Sequence, residues 1–264
     1  MGHSLPAFPH AAITRDDRGV YTLRIADAKS MNILATPVID GLTEAARWLA
    51  AQDDARAVVI RGSGEKAFVG GANIYEMAEL DPDSARRFIG NLRGLCDAVR
   101  AIPVPTIARI SGYCLGAGME LAAACDVRLA STDAVFGMPE VRVGIPSVIH
   151  AVLLPALIGA GATRWLLLTG ENVDAAQALR WNYLQFTCEP EQLDALVEKT
   201  VAPIAASGPL AVRSQKALLD YWEESSIEAG IDRSVAAFGE AFVTDEPGRY
   251  MAPFLKRKQT PEGA

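Results

Sequence analysis

The sequence predicts an α/β layered fold. Three observations carry this. Short β-type runs alternate with helical periodicity as far as Pro146, two glycine-rich turns punctuate the alternation, and the chain beyond Pro146 reads as almost continuously helical. Residues 11–15 and 20–25 flank Asp16-Asp17-Arg18-Gly19, a turn composition, and read as a hairpin. Residues 27–32 form a loop. Thr36 is placed to cap a helix whose Pro37 lies near the first position, where the missing N–H costs nothing. Ile39, Leu42, Ala46, Leu49 and Ala50 then recur at helical spacing. Residues 56–61 contain Ala-Val-Val-Ile, a buried strand by length and β-branching. Gly62, Gly64, Gly70 and Gly71 make residues 62–73 a loop of unusual backbone freedom.

Residues 83–101 read as an amphipathic helix with Phe88, Leu92, Leu95 and Val99 on one face, ended by Pro103 and Pro105. Residues 106–110 are a strand that feeds residues 111–140, the stretch around which the rest is organised. That stretch opens with a glycine-rich turn, 112–118. It continues as an Ala-rich helix, 119–125, because alanine loses little side-chain freedom in a helix. Strands at 127–130 and 135–136 follow. Past Pro146 come helices at 147–157, 163–168, 174–180, 190–206, 209–224 and 227–243. The organisation expected is a core over residues 1–200 and a helical C-terminal region over 201–264, with no internal repeat.

Of 264 residues half are hydrophobic and 22% charged, enough for one large core. The formal net charge is −7, and the largest basic cluster is Lys256-Arg257-Lys258, so no nucleic-acid partner is expected. The apolar runs read as too short to span a bilayer. No basic segment precedes an apolar one at the start, so neither a membrane nor a secretory route is expected and the chain is assigned to the cytoplasm. Residues 1–4 read as a cloning remnant or a disordered end. Cys96, Cys114, Cys125 and Cys188 show no C-x-x-C spacing and read as buried thiols.

Several chemistries are excluded by missing motifs. Gly62-Ser-Gly64-Glu-Lys-Ala67 begins like a dinucleotide fingerprint and ends in alanine, without the acidic partner. No phosphate-cradling G-x-x-x-x-G-K-[ST] and no G-x-S-x-G elbow occurs. With only His3, His10 and His150, a zinc site or a Ser-His-Asp triad is hard to build. His150 reads as a packed or helix-surface histidine, with a place in the substrate pocket as the alternative.

What remains is a pair of carboxylates and a pair of small-residue loops. Gly70-Gly71-Ala72-Asn73 and Leu115-Gly116-Ala117-Gly118 can each offer a backbone N–H to a developing oxyanion, the second from a helix start where free N–H groups favour negative charge. Glu120 sits beside Leu121, Ala122 and Ala123, where a carboxylate is costly to bury without purpose. Glu140 follows Phe136-Gly137-Met138-Pro139, again apolar. Two carboxylates in a dry pocket can divide labour as acid and base. A glycosidase also uses two, but paired glycine-rich loops suit an enolate better, and an aromatic content of 7% gives little sign of a sugar-stacking cleft.

Five stretches, in order, carry a resemblance to a known family: Lys29-Ser-Met-Asn32, Ala57-Val-Val-Ile-Arg-Gly-Ser-Gly64, Lys66-Ala-Phe-Val-Gly-Gly-Ala-Asn73, residues 105–126 and residues 136–146. Over nearly its whole length the chain resembles the enoyl-CoA hydratase/isomerase (crotonase) family. The resemblance implies a spiral of ββα units, a helical C-terminal region used in forming a homotrimer or dimer of trimers, and an acyl-CoA thioester substrate. It implies oxyanion-hole N–H donors at Ala72 and Ala117. It implies Glu120 as the base on the attacking water and Glu140 as the acid at Cα. Substrate contacts would come from Lys29, Ser30, Met31, Ala72, Asn73, Ile74, Tyr75 and Gly116. Departures from the family pattern are Ala117 for a common glycine, Asn73 for an aspartate and Tyr75 for a basic residue, which leaves Lys29, Lys66 and the basic tail to hold the CoA phosphates. Gly144-Ile-Pro-Ser-Val-Ile-His-Ala-Val-Leu-Leu-Pro155 replaces a glycine-rich continuation and resembles a subgroup acting on short or unusual acyl-CoAs such as methylthioacryloyl-CoA; Ser147 and His150 are expected to shape the acyl end of the pocket. The leading reading is an enoyl-CoA hydratase. A double-bond isomerase with Glu140 as proton shuttle is the alternative enzyme, and a catalytically idle or RNA-associated member is disfavoured by the intact glutamates and the acidic charge. No metal or redox cofactor is expected, coenzyme A entering as part of the substrate.

Overall fold

Strands β1 (Ala11–Arg15) and β2 (Val20–Ile25) form the expected hairpin, in a register running from Ala11↔Ile25 to Arg15↔Tyr21. The Asp16 carboxylate closes the turn by accepting from the Arg18 and Val20 N–H groups, each at 2.9 Å. The structure, a computed structural model, describes residues 5–29 and 31–257. Expectations for residues 1–4, Ser30 and Lys258 therefore fall outside the described residues, as do the side chains of Lys256 and Arg257.

Helix α1 (Thr36–Ala50) begins at Thr36, with Ala35 as N-cap and no side-chain cap. The expected role of Thr36 is corrected: a carboxylate from later in the chain takes over its capping. The Thr36 N–H donates to Glu76 Oε2 at 3.0 Å and its hydroxyl donates to the other oxygen. Strand β3 (Ala57–Arg61) buries Ala57, Val58, Val59 and Ile60, as a parallel strand covered on both faces does. The stretch read as a loop contains β4 (Ala67–Val69), followed by the short α2 (Ile74–Met77). Helix α3 (Pro82–Arg100) starts from a capping box: Asp81 accepts from the Ser84 N–H at 2.7 Å, and the Ser84 hydroxyl accepts from the Asp81 N–H at 2.9 Å. Next come β5 (Thr106–Ile110), β6 (Tyr113–Leu115), α4 (Ala117–Ala123), β7 (Val127–Ser131) and β8 (Val135–Gly137). Single 3₁₀ turns follow at Pro139–Val143 and Ile149–Leu153, then α5 (Leu154–Thr169), β9 (Asn172–Asp174), α6 (Ala175–Arg180), β10 (Phe186–Cys188) and α7 (Leu193–Ala206). The part past Pro146 is thus not purely helical, since β9 and β10 return to the sheets.

Among the described residues one sheet has the order β1-β2-β3-β5-β7-β10 and a second the order β4-β6-β8-β9. Apart from the β1–β2 and β8–β9 pairs, neighbours are parallel. The order exposes a repeat that the sequence hides. In β3–β4, β5–β6 and β7–β8, the first strand joins the larger sheet and the second the smaller, with α2–α3 and α4 after the first two pairs. This is the ββα spiral.

Residues 149–169 correct one expectation: by length and composition this 21-residue run, of mean hydropathy 1.7, is long and apolar enough to cross a membrane. It is not one straight helix. Its first five residues are 3₁₀, and Gly159 at φ 80°, ψ 155° breaks α5. By their contacts the described residues divide into a unit up to Ala202 and a unit from Pro203. The second holds α8 (Pro209–Glu224), α9 (Ile227–Ala241) and α10 (Glu246–Arg257), the last not anticipated from sequence.

Candidate active site

Three adjacent strands of the smaller sheet set the site. Strands β4, β6 and β8 run parallel, with Val69 beside Cys114 and Leu115 beside Gly137, so the loops leaving their C-terminal ends lie side by side. The loop after β4 is Gly70-Gly71-Ala72. After β6, Gly116 turns into α4 and presents Ala117 and Glu120. After β8, Met138-Pro139 leads to Glu140 in a 3₁₀ turn rather than at the end of a strand. Ala72, Gly116, Ala117, Glu120 and Glu140 all line one cavity of about 560 Å³.

Among the described residues two amides face no intramolecular competitor. Gly71 O accepts from the Leu34 N–H at 3.0 Å, and the Asn73 N–H donates to Leu34 O at 3.0 Å. In a parallel ladder the residue between them turns its own N–H the other way, away from Leu34. Ala117 is the first residue of α4, so its N–H has no helical acceptor. Gly116 is required at the turn: its φ of 51° with ψ −118° suits glycine, and a Cβ there would lie 2.4 Å from Glu140 Oε1. Close approach also governs Gly118, where a Cβ would meet Val69 O at 2.3 Å, so α4 packs directly on β4.

Helix α4 is held from its far end. The buried Arg128 guanidinium donates to Cys125 O at 2.7 Å, Ala122 O at 3.3 Å and Tyr183 O at 2.6 Å, while the Tyr183 hydroxyl donates to Met119 O at 2.7 Å. At the near end Glu120 is buried, and its Oε1 accepts from the Ala151 N–H at 3.2 Å. Burial first, and the Glu140 carboxylate second, push the Glu120 carboxyl up to about 8. Glu140 is half-buried. Burial raises it as well, against its own backbone N–H and the Ser147 hydroxyl, which donates to Glu140 Oε2 at 2.8 Å. Burial thus disfavours charge on both carboxyls, and the larger upward shift falls on Glu120.

The remaining expected contacts separate. Ile74 lines the cavity. Lys29 is exposed at φ 57°, Tyr75 is 78% exposed, and neither lines it. Asn73 caps α2 through its side chain, which accepts from the Tyr75 N–H at 3.2 Å. Met31 packs under Gly70, whose N–H donates to Met31 O at 2.8 Å. Ser147 holds Glu140, and His150 is buried against Asp97 rather than lining the cavity. The apolar walls were not singled out from sequence: Met77 and Leu80 after β4, Phe88, Ile89 and Leu92 of α3, and Val143, Ile145 and Val148 opposite. The signal available was α3, where Ile89 widens the stripe already marked by Phe88 and Leu92. The Ala151 amide had no sequence signal.

The family model described as enoyl-CoA hydratase/isomerase matches residues 15–261. The chain is 32% identical over 254 residues to a crotonyl-CoA hydratase of Syntrophomonas wolfei, covering 96% of this chain and 97% of that protein. It is 30% identical over 243 residues to a short-chain-enoyl-CoA hydratase of Clostridium acetobutylicum, covering 91% and 92%. Among solved structures, an enoyl-CoA hydratase from Mycobacterium smegmatis superposes with a TM-score of 0.89 at 30% identity, covering 96% of this chain and 98% of that one.

Proposed function

The chain belongs to the enoyl-CoA hydratase/isomerase family and is an enzyme of the hydratase kind, and from that premise we propose that its cavity adds water to a trans-2-enoyl-CoA. The observation that supports this is the meeting of two unoccupied amides and two coupled carboxyls on one apolar cavity. The thioester oxygen lies between the N–H groups of Ala72 and Ala117. Water attacks Cβ and gives a proton to the ionised carboxylate, and the C=C electrons move onto the thioester oxygen. The enolate then collapses and Cα takes the proton of the other carboxyl. Both additions come from the side of the glutamates, so they are syn, and the pair ends as it began, with one proton. The roles implied by the resemblance, Glu120 as base and Glu140 as acid, need the proton to reach Glu140 first. One transfer through the shared water does this, so the two carboxyls titrate as a unit. Each oxyanion donor is worth about 3–4 kcal/mol.

The substrate contacts assigned to Lys29, Ser30, Met31, Asn73 and Tyr75 are proposed for the CoA portion. No cofactor beyond the CoA of the substrate enters this scheme. A homotrimer or dimer of trimers is supported by the exposed stripe Ile227, Ile231, Val235 and Phe238 on α9, continued by Phe242 at its C-cap, and light scattering tests it. A cytoplasmic location is part of the same proposal.

The deciding assay follows loss of conjugated-thioester absorbance with crotonyl-CoA, longer trans-2-enoyl-CoAs and methylthioacryloyl-CoA. Glu120→Gln and Glu140→Gln should each cut turnover by at least about 10²-fold while the protein stays folded. No absorbance loss with any of these substrates sinks the hydratase, and absorbance gained from a 3-enoyl-CoA favours the isomerase.

A further inference from the structure

His150 is buried, 7% exposed, on the turn Ile149–Leu153. Its Nε2 lies 3.3 Å from Asp97 Oδ1 on α3, and Asp97 Oδ2 accepts from Arg93 Nε at 3.2 Å. His150 Nδ1 is buried and has no partner among the described residues. That fits a neutral ring with its proton on Nε2, and burial lowers the His150 pKa, keeping it neutral. The residue before it, Ile149, has φ 39°, a left-handed conformation that β-branched side chains avoid. The residue after it, Ala151, shares one N–H between Val148 O at 2.9 Å and Glu120 Oε1 at 3.2 Å.

These three neighbours belong together. A strained turn relaxes unless something outside it holds it, and besides the Ala151–Glu120 hydrogen bond a polar contact from this turn to another element is the 3.3 Å approach of His150 to Asp97. A turn released from it can tighten, leaving the Ala151 N–H to Val148 alone. We propose that His150 is a positioning residue: through its 3.3 Å contact with Asp97 it holds the turn Ile149–Leu153 where the Ala151 amide reaches Glu120. This rests on the reading of Glu120 as one of the reacting pair.

The charged groups around His150 are Asp97, Arg93 and Arg100, all on α3. Around Glu120 they are Glu140, with Cys96 of α3 and Tyr183, both kept neutral by burial. The Ala151 N–H favours the ionised form of Glu120, so losing it moves the limb of the pH profile that reports Glu120 to higher pH.

The test uses His150→Phe, which keeps the ring volume, Asp97→Ala, which removes the tether from an exposed site without touching the turn, and His150→Gln, which can still donate to Asp97. Hydrogen–deuterium exchange is read on a peptide spanning residues 149–153 of the free enzyme, and pH profiles of kcat and KM are read by the hydration assay. For His150→Phe and Asp97→Ala the expectation is at least about tenfold faster exchange in that peptide, about a tenfold drop in kcat with KM within about twofold, and the Glu120 limb moved upward. His150→Gln should restore most of both. Unchanged exchange and an unmoved limb in both Phe and Ala variants overturn the proposal. An inactive wild-type enzyme would defeat the hydratase reading instead, and the exchange measurement would still decide the role of His150.

Discussion

Replacing Gly116 by alanine tests whether the carboxylate of Glu140 must stay where the backbone of the β6–α4 turn allows it. A Cβ at this position lies 2.4 Å from Glu140 Oε1, and relief to an ordinary contact of 3.4 Å moves the carboxylate by about 1 Å. A misplacement of that size at a reacting group costs about 10²-fold in rate. The backbone at φ 51°, ψ −118° adds strain of about 1–3 kcal/mol for any residue with a Cβ. Gly64→Ala separates the two effects. Its φ of 71° is also positive and costs alanine backbone strain, but a Cβ there meets nothing within 4 Å. Both variants should melt a few degrees lower. Only Gly116→Ala should lose about 10²-fold in kcat, with KM nearly unchanged because Glu140 is proposed to act at the acyl carbons rather than on the CoA portion. The assay is hydration under saturating enoyl-CoA, with a thermal melt on the same samples. Gly116→Ala keeping more than about a third of wild-type turnover, or Gly64→Ala losing as much as Gly116→Ala, would refute the argument.

The pH profile of kcat/KM should be bell-shaped: at low pH both carboxyls are protonated and no base remains, and near pH 8 and above the pair loses its last proton and no acid remains. A flat profile through pH 8–9 contradicts the coupling of Glu120 to Glu140. The same raised carboxyl predicts a stability effect. Between the unfolded value near 4.5 and the folded value of about 8 the native state binds the extra proton, so Glu120 lowers stability as pH rises through that window. Glu120→Gln should therefore melt above wild type at pH 8, by an amount on the order of a few kcal/mol, with the gap closing toward pH 4.5. Arg128→Met should destabilise the fold by about 3 kcal/mol or more in denaturant melts, because it leaves the carbonyls of Ala122, Cys125 and Tyr183 buried without their donor.

Elements with a strong local period are the ones legible from the chain alone. α3 has its apolar stripe and capping box, and β3 and β5 are short buried runs between breakers. Strands β4, β6, β9 and β10 have three residues each, too few to show a period, and they exist because residues distant in sequence pair with them. The ββα repeat escaped notice for the same reason: its units share a topology, not a residue pattern.

Sequence by itself determined which groups could react. A carboxylate amid alanines, a second after an apolar run and two glycine-alanine turns are local facts, and they marked Glu120, Glu140, the two loops and Ala117, while the family resemblance singled out Ala72. Tertiary structure decided how those groups behave. The stacking of β4, β6 and β8 brings three loops onto one cavity, burial and the Glu140 charge raise the Glu120 carboxyl, and amide and hydroxyl donors from Ala151 and Ser147 temper each carboxyl. Protonation depends on solvent exclusion and on through-space charge, and neither is written in the order of residues along a chain.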